Sequence, residues 1–121
     1  MKKEKEPNDL QKRIYTWVLN LVKFVDSLPK DSSARIITNQ LLRSGTSVGA
    51  NYIESQAGSS RKDFANFLYI SLKSANESKY WLKIIRDTKK GDIEDAEQLL
   101  NELEKISKIL AASIITTKRN E

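Results

Sequence analysis

The chain has 121 residues, 39% of them hydrophobic and 31% charged, with a formal net charge of +5. That length suits one domain around a single core. With no cysteine and no histidine, it can build no disulfide framework, thiolate nucleophile or soft metal site, and it lacks the usual proton shuttle at neutral pH.

Proline and glycine are scarce: Pro7, Pro29, Gly45, Gly49, Gly58 and Gly91. Few breaks favour long helices, and no alternating β-branched run suggests a strand. No Glu-x-x-His pair is present to build a di-iron bundle, so neither metal nor cofactor is expected. The opening MKKEKEPND is charged and lacks the apolar core of a signal peptide. No apolar run reaches membrane-spanning length. These features predict a cytoplasmic chain with no membrane contact.

Residues 1–7 read as a charged, disordered lead. A first helix is predicted over about residues 9–28, capped by Asn8 with Gln11 at the third helical position. Leu10, Ile14, Trp17, Val18, Leu21, Val25 and Leu28 fall on one face at 100° per residue. Leu28-Pro29 ends it. A second helix is predicted over about residues 32–56, capped by Asp31 or Ser32. Its inward set, Ile37, Leu41, Ser44, Val48, Asn51 and Ser55, is half polar, and such groups need partners in a seam. Gly45 and Gly49 stand on another face with Thr38, Leu42 and Ile53. Each glycine costs about 1 kcal/mol against alanine in a helix interior. Their i, i+4 spacing points to close approach of another helix; simple tolerance is the plainer alternative.

Gly58 suits the left-handed position after a helix. Ser60 caps the third helix, predicted over about residues 61–89, with Asp63 reaching back. Its seam is Phe64, Leu68, Ser71, Ala75, Ser78, Leu82 and Ile85. Phe67, Tyr69, Ile70, Tyr80, Trp81 and Ile84 lie off that seam, so the apolar arc exceeds half the circumference. Such a helix is buried on more than one side, and a second subunit is the expected cover. Gly91 is expected to end it. Asp92 caps the fourth helix, predicted over about residues 93–117, with Asp95 at the third position and acidic first turns that suit the macrodipole. Ala96, Leu99, Leu103, Ile106, Leu110 and Ser113 make a coiled-coil-like seam. One all-α domain follows, an up-down-up-down left-handed four-helix bundle that is oligomeric.

Residues 61–90 hold eight basic and three acidic groups, whereas residues 91–121 hold four basic and seven acidic. Lys79, Lys83, Arg86 and Lys90 form a stripe on the third helix, with Arg61 and Lys62 at its start. The stripe reads either as a ladder for phosphate oxygens or as a solvated edge. Gly45, Gly49, Ile53, Tyr80, Trp81 and Ile84 are the candidates for helix or subunit packing. Arg43, Asn51, Glu54 and Glu77, with Ser47 and Ser74, are candidates for a polar network that fixes register. Without histidine, cysteine or a metal signature, no catalytic residue is nominated.

Gln40-Leu41-Leu42-Arg43-Ser44, Ser47-Val48-Gly49-Ala50-Asn51, Glu54, Ser60-Arg61-Lys62-Asp63-Phe64 and Glu77-Ser78-Lys79-Tyr80-Trp81-Leu82 resemble the bacterial proteins encoded in 23S rRNA intervening sequences. These are also called the S23 ribosomal protein family. The resemblance spans about residues 10–117. Its relatives include the accessory variability proteins of diversity-generating retroelements. It implies a four-helix bundle assembled as a homopentamer around a central channel. In the retroelement relatives it implies nucleic-acid and reverse-transcriptase binding through a basic surface. It carries over no catalytic residue. Arg43, Asn51 and Glu54 match the helix-two motif, and Arg61 and Lys62 the basic start of helix three. Glu54-Ser55 departs from the Glu-Gly or Glu-Ala of many members, and the acidic fourth helix makes this chain less basic than the retroelement proteins. The resulting expectation is a non-enzymatic oligomer that binds RNA or DNA, or serves as an adaptor, through helix three. The alternative is a protein–protein assembly module with no nucleic-acid affinity.

Overall fold

Helix starts are written locally, in side chains able to satisfy orphan amides. The Asn8 side chain accepts from the Gln11 N–H at 2.8 Å, and Asp92 accepts from the Asp95 N–H at 2.9 Å. Ser60 accepts from the Asp63 N–H at 3.1 Å. From these caps run α1 (Asp9–Asp26), α3 (Arg61–Asp87) and α4 (Ile93–Arg119), with α2 (Ser32–Ala57) between the first two. The structure, a computed structural model, describes residues 8–57 and 60–120. Among the described residues every regular element is helical. The expectations for residues 1–7 and for Gly58 lie outside the described residues.

Helix α4 runs two residues past its expected end, to Arg119, and the ends of α1 and α3 have causes that the sequence did not suggest. Helix α1 stops at Asp26, two residues early: both the N–H and the hydroxyl of Ser27 turn back onto the Phe24 carbonyl, the hydroxyl at 2.6 Å. Helix α3 is closed by Lys89, not by Gly91. Lys89 adopts φ 56°, its N–H bonds the Arg86 carbonyl, and the Lys90 N–H bonds the Ile85 carbonyl, the paired pattern of a Schellman stop. Gly91 has a different task. A Cβ there would lie 2.5 Å from Leu28 Cδ2 and 3.1 Å from Phe24 Cζ. Its absence lets the α3–α4 connection close against the end of α1.

The four helices pack in a ring, α1 to α2, α2 to α3, α3 to α4 and α4 to α1, with no close backbone approach across the α1–α3 diagonal among the described residues. Burial follows the predicted seams. Ile14, Trp17, Leu21, Leu41, Val48, Leu68, Leu82, Ile85, Leu103, Ile106 and Leu110 are almost wholly inaccessible. Phe24, Tyr52 and Leu100 join them, so the seams are wider than the single-face pattern predicted.

The two sides of α2 pack by different means. Against α3, small residues bring the backbones together and hydroxyls cross the gap. Ser44 and Ser78 meet at 2.8 Å, Ser47 and Ser74 at 2.9 Å, and Ser71 donates to the Val48 carbonyl at 2.7 Å. Each buried hydroxyl in this seam is partnered, so the polar half of the α2 face costs little. Against α1, Gly45 receives bulk: Leu21 Cδ2 lies 2.1 Å from the place a Cβ would occupy, and Trp17 Cη2 3.4 Å from it. Gly49 sits beside Ile14 and Val18 at ordinary contact, 3.5 Å. Trp17 also ties α1 to α4 by donating from Nε1 to the Leu99 carbonyl at 3.0 Å.

Candidate functional site

The basic stripe of α3 lies along its α4 flank, and α4 answers it with carboxylates. Lys79 Nζ is 3.1 Å from Glu104 Oε2, and Arg86 Nη1 is 3.3 Å from Glu97 Oε1. Arg86 Nε also bonds Asp87 at 2.8 Å, and Lys90 Nζ reaches Asp31, just before α2, at 3.0 Å. The three cations are folded down, with side chains only 14–27% exposed, whereas their carboxylate partners are 46–66% exposed. The hydrogen bond from Lys79 holds the Glu104 carboxyl below the usual range; Arg86 does the same for Asp87, and Lys90 for Asp31. Lys83 is exposed, makes no ion pair among the described residues, and adds a weaker pull on Glu104 and Asp87.

Arg61 and Lys62 stand at the opposite end of α3 from the ion-paired cations. At 1.5 Å per residue they lie about 25 Å down the helix from Lys79. There Arg61 donates to the Asn120 carbonyl, tying the start of α3 to the end of α4.

The polar network exists with part of its expected membership. Asn51 donates from Nδ2 to the Ser47 carbonyl at 2.9 Å and to its hydroxyl at 2.8 Å, and Ser47 pairs with Ser74. The side chains of Arg43 and Glu54 are exposed and make no hydrogen bond among the described residues. Glu77 is also exposed and accepts from Trp81 Nε1 at 3.3 Å, one turn along the same helix. These three charges therefore stand outside the seam, because α2 and α3 approach too closely there to admit long side chains. Asn51, Ser47 and Ser74 thus make the network that was expected of them, and the three charged candidates take no part in it.

Two apolar faces remain uncovered. On α1, Tyr15, Leu19 and Val22 are 63%, 45% and 38% exposed. At 100° per residue they stand within about 60° of one another. Tyr15 also borders a groove of about 560 Å³ between α1 and α2, lined by Ile14, Val18, Gly49, Ala50 and Ile53 among others. The second face is on α3: Tyr69, Ile70 and Tyr80 are exposed, and Phe67, Trp81 and Ile84 are half-buried. Tyr80 and Trp81 stack edge to face, ring centroids 5.1 Å apart. The predicted packing residues therefore divide. Gly45 serves contact between α1 and α2, Gly49 and Ile53 line the groove, and Tyr80, Trp81 and Ile84 form the α3 face. The α1 face was missed, although apolar residues at 15, 19 and 22 beside the inward set already make α1 apolar most of the way round.

Among the described residues no cluster of acidic side chains could hold a metal ion, and no helix is long and apolar enough to cross a membrane. The fold and surface thus define an all-helical protein of four packed helices whose functional groups stand on helix faces. More specifically, the family model for the 23S rRNA-intervening sequence protein matches residues 6–112, and the chain belongs to that family. It is also similar to a protein of unknown function from the S23 ribosomal protein family of Bacteroides thetaiotaomicron VPI-5482, known from a crystal structure at 1.70 Å resolution. The two share 34% identity over 87% of this chain and 97% of that one, with a TM-score of 0.81. No curated protein matches the chain.

Proposed function

We propose that this protein is a non-enzymatic, cytoplasmic, oligomeric adaptor whose copies join through their apolar faces and present a basic α3 surface to RNA or DNA. The observation that carries the reading is the pair of uncovered apolar faces on α1 and α3, helices that stand diagonally across the bundle. Exposed patches of this kind mark interfaces. Two unlike patches on opposite sides of a molecule join head to tail, and such a contact closes into a ring when the rotation permits. The homopentamer implied by the family resemblance is a ring of this kind. Repetition about its axis would multiply the positive charge of α3 into a field that no single copy has. Kinship with the accessory variability proteins of diversity-generating retroelements would add a reverse transcriptase as partner. The ion pairs along α4 favour a second reading, a protein–protein assembly module in which the charge is structural.

Light scattering on the purified chain, with absorbance at 260 nm recorded in parallel, tests both. The expected result is a multimer that carries nucleic acid, released as salt rises. A double variant, Tyr15→Lys with Ile53→Lys, is expected to yield folded monomers. A monomeric wild type would refute the ring. A clean multimer that also fails to bind added RNA or DNA would leave the assembly module.

A further inference from the structure

We propose that the carboxylates of Glu97 and Glu104 on α4 form an intramolecular counter-ion strap over the α3 stripe, so that the stripe accepts only an extended polyanion able to displace several carboxylates at once. The proposal rests on the nucleic-acid reading above and concerns the regulation of that same surface.

Three features of the geometry support it. Glu97 and Glu104 are seven residues apart, two turns of helix, and so lie on one face of α4. Their partners, Arg86 and Lys79, are also seven apart on the antiparallel helix, so both pairs form in one register. In each pair the cation is the covered member and the carboxylate the exposed one: Lys79 is 14% exposed against 55% for Glu104, and Arg86 27% against 46% for Glu97. An approaching anion therefore meets carboxylate first. Finally, the caps leave these two residues unused. Asp92 caps α4, and Glu94 and Asp95 occupy its first turn. Glu97 lies just past that first turn, and Glu104 two turns further on, where the macrodipole gives no reason for acid.

Exposed ion pairs are weak and salt-screened, so a carboxylate can swing out when a better anion arrives. One phosphate replacing one carboxylate gains little, because it exchanges one charge for another. A strand brings phosphates at regular spacing and releases its condensed counterions as it binds. The strap thus sets a threshold of length. A free mononucleotide does not clear it; an oligonucleotide does. Lys83, which has no partner among the described residues, offers the first foothold.

The test is fluorescence anisotropy with a labelled single-stranded RNA of about 30 nucleotides in about 0.15 M salt, where phosphate contacts dominate affinity. The full-length wild type is compared with Glu97→Gln/Glu104→Gln. A second double variant, Asp26→Asn/Glu54→Gln, makes the same net-charge change away from the stripe. Circular dichroism checks that all three fold. The strap variant is expected to bind roughly tenfold tighter, and the charge control within about threefold of wild type. The strap variant should also gain measurable affinity for the mononucleotide AMP, which wild type lacks. Equal gains in the two double variants would overturn the strap, since net charge alone would then account for both. Wild-type binding that is lost in Lys79→Glu/Lys83→Glu/Arg86→Glu, yet unchanged in the strap variant, would overturn the strap and keep the basic surface. Failure of every protein to bind RNA, even in about 0.02 M salt, would overturn the basic surface and the strap with it.

Discussion

Gly45 and Gly49 present the same residue, one helical turn apart on the same helix, in two different environments. The substitution to alanine should therefore change sign between them. In both, alanine recovers about 1 kcal/mol of helix propensity. At Gly49 the new methyl meets Ile14 and Val18 at 3.5 Å, an ordinary contact, so the propensity gain stands nearly undiminished. At Gly45 it would sit 2.1 Å from Leu21 Cδ2. Leu21 is fully buried and cannot turn away without displacing Trp17 or pushing α1 outward. Overpacking of that kind costs about 1–3 kcal/mol. The net expectation is a gain of about 1 kcal/mol for Gly49→Ala and a loss of about 0–2 kcal/mol for Gly45→Ala. For a chain of this size a difference of 1–3 kcal/mol separates the two melting temperatures by roughly 4–12 °C. Urea unfolding followed by circular dichroism reads the same difference. All samples need one protein concentration, because assembly adds to apparent stability. Equal stabilisation by both substitutions would refute the account of Gly45 as the place where α1 enters the α2 surface.

Two further expectations concern single side chains. The Ser107 hydroxyl is buried with no hydrogen-bond partner among the described residues; Ser107→Ala should stabilise the protein by about 1–2 kcal/mol, and a destabilised variant in thermal melts would show that the hydroxyl is satisfied after all. On the flank between α1 and α4, Arg13 forms two hydrogen bonds to Glu102, at 2.6 and 2.8 Å, and holds its carboxyl below the usual range. A depressed folded-state value means stability that is present at neutral pH and fades as the pH falls through the carboxylate range. Arg13→Gln should accordingly lower stability near pH 7, do little at pH 2, and flatten the acid side of a stability–pH profile; an unchanged profile would show that the pair is too solvated to matter.

Much of the fold was legible because its signals are local. Asn8, Ser60 and Asp92 each cap the helix they precede, since a cap depends on one side chain and the next three residues. The inward seams emerged from spacing alone, because an aliphatic residue repeated every three or four positions has one low-energy direction to face. The misreadings arose where a residue answers to a neighbour distant in sequence. Gly91 looked like a helix stop, because glycine commonly is one. In fact Lys89 takes the left-handed turn, and Gly91 is small for the sake of Leu28 and Phe24, more than sixty positions earlier.

The same limit explains the site. The excess of positive charge on α3 is a property of composition, and composition is visible in a sequence. Whether that charge faces solvent or a carboxylate depends on the register between α3 and α4, which no local pattern encodes. The acid-rich start of α4 had a sufficient local explanation in its caps and macrodipole, and that explanation concealed a second one, which begins at Glu97 and continues two turns further on at Glu104. Glu97 and Glu104 repeat with the period of Lys79 and Arg86. In an antiparallel hairpin such a match in period brings charge to charge along the whole flank. A seven-residue repeat of acid on one helix and base on its hairpin partner is therefore the signal to seek in related chains. Where it is present, net charge overstates the positive field that α3 presents to a ligand; where α4 lacks it, the stripe stands open.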